Sequence, residues 1–356
     1  MFIIGIDPHK GSHTAAVLDC HEQLVGELRV CADRLQRDRL LAFAQRFEPH
    51  VWAIEGATGT GALLAQQLVG AGERVLDVPP KLSTRARLLD SGRSDKTDAH
   101  DARSAAMVAM RHRGLRAVGV EDHIAVLRLL AKRHHDLVAR RTQSICRLHA
   151  VLCVLVAGGL SRNLSAARAA SELRRVRGAD AVGLERRRVA HELLGEVRRV
   201  DAELSALKAR ITVAVAASGT SVTEVFGVGP IVAAYLLGYT GDAARFATAG
   251  HYARYNGTAP IEASSGAKAR HRLNPRGNRQ PNHAIYMAAL TQVGHDTAGR
   301  AYYLRKQAEG KSKKEAMRAL KRRVSDAVYR QLLADARQRV GPGGQSGATL
   351  QSSAAG

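Results

Sequence analysis

The alternation of apolar and polar residues predicts that strands and helices take turns along residues 1–112. Short β-rich runs are separated by turn residues such as Pro8 and Gly11, and segments with helical spacing follow. The predicted strands are Phe2–Asp7, His13–Asp19, Leu24–Cys31, Val51–Glu55 and Arg74–Val78, and the predicted helices are Arg34–Phe47, Gly61–Ala71 and Thr97–Arg111. The predicted element order is therefore β-β-β-α-β-α-β-α.

The first three predicted strands lie too close together in the chain to be joined by crossover helices. Connections this short form hairpins, so we expect antiparallel neighbours. Three meandering strands followed by alternating strand–helix units are typical of an RNase H-like α/β sheet. The fold class predicted for residues 1–112 is therefore RNase H-like.

The middle of the chain, residues 113–217, is predicted to be almost wholly helical. Two long segments, Ile124–Val156 and Leu184–Ala217, carry spaced Leu, Val and Ile among dense charges. They are interpreted as long amphipathic helices that form either an antiparallel pair or a dimerising coiled coil. Gly158–Asp180 between them is predicted to be a loop or a short helix.

The remaining residues, 218–340, are predicted to form a mainly helical unit. A glycine-rich turn at Val225–Pro230 comes before the first of its helices, and an irregular basic segment interrupts the helical pattern at Asn256–Pro275. The predicted helices are Ile231–Leu237, Phe246–Ala253, Pro281–Val293 and Tyr302–Ala336. The Gly/Ser/Ala-rich tail, residues 341–356, is predicted to be disordered.

Composition indicates a class of partner through the net charge of the chain. The chain has 356 residues with 54 Lys and Arg against 32 Asp and Glu, a formal net charge of +22, and 45% hydrophobic residues. A chain this basic, with enough apolar residues for real cores, favours binding to nucleic acid. The four cysteines form no CxxC pair, and no apolar run reaches the length of a membrane span. We therefore expect reduced thiols and no membrane partner.

Acidic residues stand out at three places in the first 112 residues. Asp7 and Glu55 each end a predicted strand, and neighbouring strand ends lie side by side at one rim of a sheet. Asp98 and Asp101 share a helical face, about 5–6 Å apart, with Asp95 one step earlier. Taken singly, each acid is typical of a turn or a helix cap. Together they favour a site for Mg²⁺ or Mn²⁺, in which paired ions about 3.5–4 Å apart support phosphodiester chemistry.

Three segments that contain these acids resemble one known family. They read MFIIGIDPHKGSHTAAVLD, VWAIEG and SDKTDAHDA, in this order. They resemble the N-terminal domain of the DEDD-type insertion-sequence transposases, a domain similar to the RuvC Holliday-junction resolvase. The resemblance implies that Asp7, Glu55, Asp98 and Asp101 are a catalytic metal-binding tetrad. His9 and His13, which flank the first turn, are interpreted as exposed turn residues, with contact to phosphate or metal as the alternative.

The C-terminal unit holds a second set of candidates. The segment FGVGP contains Gly227 and Gly229 and resembles a helix-hairpin-helix phosphate clamp, with a plain glycine turn as the alternative. The same transposase family carries a P-x-x-x-x-S-G segment, which here implies Ser265 as the catalytic serine and Ser264 as the fallback. The cations expected to bind nucleic acid around it are Lys268, Arg270, Arg272, Arg276 and Arg279. A further basic run, Lys311–Arg323, is interpreted as a helix face that contacts the nucleic-acid backbone, with a solvated face as the alternative.

The resemblance implies a transposase that cuts and rejoins DNA at element ends and target. It further implies guidance by an element-encoded RNA, a covalent serine–DNA intermediate, and a homo-oligomer, dimer or tetramer, in bacterial cytoplasm on the nucleoid. The first alternative is a RuvC-like structure-selective metal-dependent endonuclease that activates water. The second is a non-catalytic nucleic-acid-binding protein, against which the ordered tetrad argues.

Overall fold

The chain folds into two compact units, Met1–Glu121 and Asp122–Gly356. The computed structural model describes residues 1–91, 97–161, 163–177, 180–262, 271–272, 274 and 277–340. The tail predicted to be disordered therefore lies outside the described residues. The finer division at residues 112 and 217 stays a prediction.

The first unit is built on a mixed sheet. Its strands are β1 (Phe2–Pro8), β2 (Ser12–Leu18), β3 (Leu24–Cys31), β4 (His50–Glu55), β5 (Val75–Val78) and β6 (Arg116–Ala117). Their order is β3-β2-β1-β4-β5-β6, with β1, β4 and β5 parallel and β2 antiparallel to both of its neighbours. An antiparallel three-strand meander continued by parallel strands is the RNase H-like arrangement. The predicted fold class is confirmed.

The helices of this unit include one that the sequence pattern did not predict. They are α1 (Gln36–Ala44), α2 (Ala62–Gly70), α3 (Pro80–Ser91) and α4 (Asp98–Arg111). The missed helix is α3, because two consecutive prolines, Pro79 and Pro80, are typical of a strand end or a turn. Pro80 is instead the first helical residue, a position where the missing N–H has no intrahelical partner to lose.

Alternating residues of the central strands divide the first unit into two cores. Ile4, Ile6 and Trp52 point to the face covered by α1 and α2. Ile3 and Ala53 point to the opposite face, where α4 packs together with part of α3. Because side chains alternate along a strand, Gly5 and Asp7 lie on this second face with Ile3.

Helix α4 lies against β1 with almost no side-chain layer between them. A Cβ atom on Gly5 would come 2.0 Å from the Ala102 carbonyl oxygen and 2.9 Å from the Ala106 Cβ atom. Only glycine fits at this position, and the small residues of α4 are equally necessary. The contact fixes the distance between the end of β1 and the first turn of α4.

The second unit is mainly helical. Its helices are α5 (His123–Cys153), α6 (Ala166–Arg175), α7 (Ala181–Ala217), α8 (Pro230–Thr240), α9 (Ala249–Tyr255), α10 (Arg279–Gly294), α11 (Ala298–Ala308) and α12 (Lys313–Val340). The short strands β7 (Ile261–Glu262) and β8 (His271–Arg272) pair antiparallel. Within the described part of the chain, no helix combines the length and apolarity that a membrane crossing requires.

The two long helices α5 and α7 form an antiparallel pair within the chain. Arg133 contacts Glu203 at 2.8 Å, whereas Ser144, further along α5, donates to Glu196, which comes earlier in α7. Of the two predicted alternatives, the structure thus has the intramolecular pair. One core joins α5 and α7 to α8, α10 and α12.

The prediction of one continuous helix over Tyr302–Ala336 is wrong. The segment contains α11 and α12, separated at Gly310, whose φ of +88° is not helical. Ser312 then forms a capping box with Glu315, because the Ser312 backbone N–H donates to the Glu315 carboxylate at 2.9 Å. The Gly and S-x-x-E signals were present in the sequence, but the helical periodicity on both sides masked them.

The close contact at Gly5 gives a stability prediction. Gly5→Ala forces α4 away from β1, and we expect a loss of about 1–3 kcal/mol in the free energy of unfolding, typical of overpacking. Urea denaturation of the full-length protein measures it. Gly70→Ala is the matched control, since a Cβ atom there meets nothing within 4 Å; its effect should stay within about 1 kcal/mol. Equal stability of the two variants would contradict the packing argument.

Candidate functional site

The register of the central strands places two of the predicted acids side by side. Ile6 of β1 pairs with Ile54 of β4 in parallel register, and Asp7 and Glu55 follow these residues directly. On its other side Asp7 pairs with Thr14 of β2, which in turn pairs with Arg29 of β3. The end of β1 is thus flanked by an acid on one side and by a hydroxyl and a cation on the other.

The other two acids lie in the first turn of α4. The Thr97 side chain caps this helix by accepting a hydrogen bond from the His100 backbone N–H at 3.3 Å. Asp98 and Asp101 follow the cap, and Asp101 is almost fully buried. Since α4 rests on Gly5, its first turn comes to the end of β1, two residues further along the strand.

Three potential ligands converge there. One ligand atom from each of Asp7, His9 and Asp98 lies within 4.8 Å of the others, and His9 Nδ1 is 3.3 Å from the Asp7 carboxylate. Carboxylate oxygens with one imidazole nitrogen are a donor set that suits a divalent cation such as Mg²⁺ or Mn²⁺. Two carboxylates this close repel each other unless positive charge lies between them. The arrangement therefore fits a divalent metal site.

The two histidines near this turn differ from each other in environment. His9 belongs to the acidic cluster, although its side chain is partly exposed as expected for a turn residue. His13 is buried, so its interpretation as an exposed turn residue is wrong; its Nε2 is hydrogen-bonded to Gln36 at 2.9 Å. Strand β2 begins at Ser12, which places His13 inside the sheet rather than in the turn.

Two arginines that the sequence analysis missed hold the helix acids. Arg29 of β3 lies 3.4 Å from the Asp98 carboxylate, and Arg87 of α3 forms a largely buried ion pair with Asp101. A cation bound between Asp7 and Asp98 would therefore share Asp98 with Arg29. Next to this contact an open cleft of about 440 Å³ runs between β2, β3 and the start of α4, and Asp98 is part of its wall.

The predicted serine site falls mainly outside the described residues. The predicted residues that lie outside are Ser264, Ser265, Lys268, Arg270 and Arg276, together with the side chain of Arg272. The segments on either side are firmly joined. Gly257 and Gly277 are so close that a Cβ on Gly277 would lie 2.3 Å from the Gly257 Cα atom, and the Asn278 backbone N–H donates to the Tyr255 carbonyl at 2.7 Å. Arg279, the one predicted cation whose side chain is described, begins α10.

The glycine turn before α8 has a packing role for one of its two glycines. Gly227 has a φ of +87°, and a Cβ atom on it would lie 2.6 Å from the Ala288 carbonyl oxygen of α10. Gly229 is exposed, caps α8 and has nothing within 4 Å of an added Cβ. The phosphate-clamp role of both glycines stays a prediction, and close packing alone explains Gly227.

Comparison with known proteins places the whole chain among transposases. Residues 4–156 match the model of the DEDD transposases of the IS110 type, described as "Transposase". Residues 219–304 match the model described as "Transposase IS116/IS110/IS902 family". The first match covers the RNase H-like unit and all of α5, and the second covers α8 to α10 with the paired strands β7 and β8. The two family matches identify the chain as a transposase of the DEDD class.

Relatives that align along nearly the whole chain make the assignment specific. The IS116 uncharacterized 44.8 kDa protein of Streptomyces clavuligerus is 28% identical over 92% of this chain and 94% of its own length. The IS900 uncharacterized 42 kDa protein of Mycobacterium paratuberculosis is 29% identical with the same coverage. The chain belongs to the IS116/IS110/IS902 family of transposases, enzymes that cut and rejoin DNA. Membership in this DEDD class implies dependence on a divalent metal ion.

Two solved structures are similar to the first unit. The Thermus thermophilus RuvC structure covers 33% of this chain and 100% of its own, with 17% identity and a TM-score of 0.27. The T. thermophilus RuvC in complex with Holliday junction substrate covers 33% and 99%, with 20% identity and a TM-score of 0.28. The assignment of the RNase H-like fold rests on the strand order and not on these alignments.

The convergence of Asp7 and Asp98 gives a binding prediction. Asp7→Asn removes a charged ligand at the buried end of β1, and we expect at least about a 10-fold loss of Mn²⁺ affinity, since removing even an outer-shell partner of a metal ligand costs about 10–100-fold. Isothermal titration calorimetry of the full-length protein measures it. Asp38→Asn is the control, because this exposed carboxylate pairs with Arg37 on α1. Unchanged Mn²⁺ affinity in Asp7→Asn would show that the metal ion does not bind at this site.

Proposed function

We propose that this transposase exchanges DNA strands between element ends and target under the guidance of an element-encoded RNA. In this proposal a carboxylate tetrad binds Mg²⁺, with Mn²⁺ as a substitute, and Ser265 is the nucleophile. The observation that carries the metal part is the convergence of Asp7, His9 and Asp98 within 4.8 Å. The serine part is supported by the resemblance of its sequence segment to that of the family.

Each member of the tetrad has a role that follows from its place. Asp7 and Asp98 are the central ligands, and Glu55 is available beside Asp7 because their strands are in parallel register. Asp101, one helical turn after Asp98, completes the set, and Arg87 holds its carboxylate in place. When bound, the divalent ions supply Lewis-acid activation and charge stabilisation for phosphodiester chemistry.

The serine step is a transesterification. The Ser265 Oγ atom forms a bond to phosphorus, the bond from phosphorus to one deoxyribose oxygen breaks, and the serine proton ends on that oxygen as a free hydroxyl. The covalent bond energy is kept in the serine–phosphate ester. A hydroxyl of the exchanged strand then attacks the same phosphorus and releases the serine, so the joining step needs no external energy source.

The cations of the chain have a positioning role in this scheme. A net charge of +22 is compatible with binding DNA and RNA together, because both are polyanions. The expected contacts near the serine are Lys268, Arg270, Arg272, Arg276 and Arg279, with the backbone N–H groups at Gly227 and Gly229 as further phosphate donors. We propose that the enzyme acts as a dimer or tetramer on the nucleoid of the bacterial cytoplasm, with the metal centre of one subunit serving the serine of another.

A covalent trap tests the nucleophile. Purified protein, guide RNA, Mg²⁺ and end-labelled element DNA are mixed and run on a denaturing gel. The wild type should give a protein-linked DNA band that is lost in Ser265→Ala, because alanine lacks the hydroxyl that forms the ester. Ser264→Ala is the neighbouring control and should keep the band at about wild-type intensity.

Other results of this trap would point to other chemistry. Mg²⁺-dependent nicks that survive Ser265→Ala, with no protein-linked band, would assign the protein to the structure-selective nucleases. A band that is lost in Ser264→Ala but kept in Ser265→Ala would move the nucleophile by one residue. Asp7→Asn should abolish both nicks and band.

The guide RNA has its own test. Protein freed of RNA with ribonuclease, and then freed of the ribonuclease, should recombine a plasmid mini-element only after the RNA transcribed from the element flank is added back. An RNA of equal length and scrambled sequence is the control for charge alone. Recombination without RNA, or equal rescue by the scrambled RNA, would exclude guidance and leave a protein that reads DNA directly.

A further inference from the structure

A second cleft, in the helical unit, is lined by cations and neutral polar groups. It has a volume of about 460 Å³, and among the described residues that line it none is acidic. The residues that matter for its chemistry are Gly277, Arg279, Asn282, His283, Tyr286 and Lys321. Gly257 and Gly277, which flank the β7–β8 pair in the chain, lie close together in its wall.

One face of α10 forms most of the cleft wall. Arg279, His283 and Tyr286 are four and three residues apart, so they follow one another along the same side of the helix. Lys321 of α12 also lines the cleft, and its side chain is partly buried. The cleft therefore combines a guanidinium, an imidazole, a phenol and an ammonium group, with no carboxylate among the described residues of its wall.

The ammonium of Lys321 is held in a defined position. Its Nζ donates to Asn282 Oδ1 at 2.6 Å, and Asn282 Nδ2 donates to the Asn256 carbonyl at 2.7 Å, which fixes the orientation of the amide. Asn256 is itself fully buried and donates to Ser325 at 2.8 Å. The Tyr286 ring centroid lies 5.8 Å from Nζ, within range of a cation–π contact.

Lys321 differs from the cations around it in having a neutral partner. Its neighbour Arg322 lies 3.0 Å from Asp326, and Lys306 lies 2.6 Å from Glu309. Within the described part of the chain no salt bridge involves Lys321, and burial lowers the pKa of its ammonium group. Placing a cation in such an environment has a cost that an arriving anion removes. The basic run Lys311–Arg323 is thus not a uniform exposed face.

We propose that this cleft binds one backbone phosphate of the DNA substrate, with Lys321 as the central contact and Arg279 at the rim. An ammonium supplies a compact charge to the phosphate, and the guanidinium can donate two parallel hydrogen bonds to its oxygens. The proposal rests on the chain acting on DNA and requires neither the serine nor the metal. Lys321 and Arg279 are positioning residues that hold the DNA strand in this cleft.

The salt dependence of DNA binding tests this proposal. Each phosphate contact contributes about 0.9 to the slope of log Kd against log salt concentration. We expect Lys321→Met to lower this slope by about 0.9 for the full-length protein and duplex element-end DNA, measured by fluorescence anisotropy. Lys321→Arg should restore the slope, and Lys306→Met, which removes an equal charge beside Glu309, should leave it unchanged.

Two further measurements keep the outcome unambiguous. If Lys321→Met has a lowered melting temperature, Arg279→Gln, at the exposed first residue of α10, replaces it and should lower the slope likewise. DNA binding is measured without turnover, so the slope distinguishes a failure of this proposal from a failure of the proposed serine and metal chemistry. A wild-type slope in both Lys321→Met and Arg279→Gln, or a reduced slope only for RNA of the same length, would overturn the assignment to DNA.

Discussion

The contact between α4 and β1 at Gly5 is the constraint on which the acidic centre depends. With a side chain at this position, the helix would be held off the sheet, and its first turn would not come to the end of β1. The contact needs a glycine on the strand and small residues on the helix, here Ala102 and Ala106. Glycine in a strand interior weakens the strand. The local cost is offset because the contact brings Asp98 to Asp7.

The strand register adds a second constraint that acts across the sheet. Glu55, Asp7, Thr14 and Arg29 lie in successive strands at matching positions. A shift of one residue in any pairing would turn a side chain to the opposite face, which is filled by a hydrophobic core. Core packing therefore protects the geometry of the site. Burial of Ile4, Ile6 and Trp52 on one face of the sheet fixes the orientation of Asp7 and Glu55 towards the other face.

The sequence allowed prediction of the parts that follow from local periodicity. Periodicity predicts the strand ends at Asp7 and Glu55 and the helix that contains Asp98, because periods of 2 and 3.6 residues are properties of short segments. The sequence did not decide between the two interpretations of His9, because a histidine after Asp-Pro is typical of an exposed turn and can equally contact a metal ion. Arg29 and Arg87 could not be found at all. Asp98 is distant from Arg29 in the chain, and Arg87 meets Asp101 only because α3 packs against α4.

Charged side chains that function requires are held by different kinds of partner in the two units. In the first, acids gather in a chain with 54 basic and 32 acidic residues, and Arg29 and Arg87 hold two of them. In the second, many cations of α11 and α12 have nearby acids, as Lys306 and Arg322 do. A half-buried lysine that is oriented by Asn282, rather than by a carboxylate, is therefore not explained by surplus charge. A neutral partner fixes the position of the ammonium and leaves its charge available, which is the property that a phosphate contact requires.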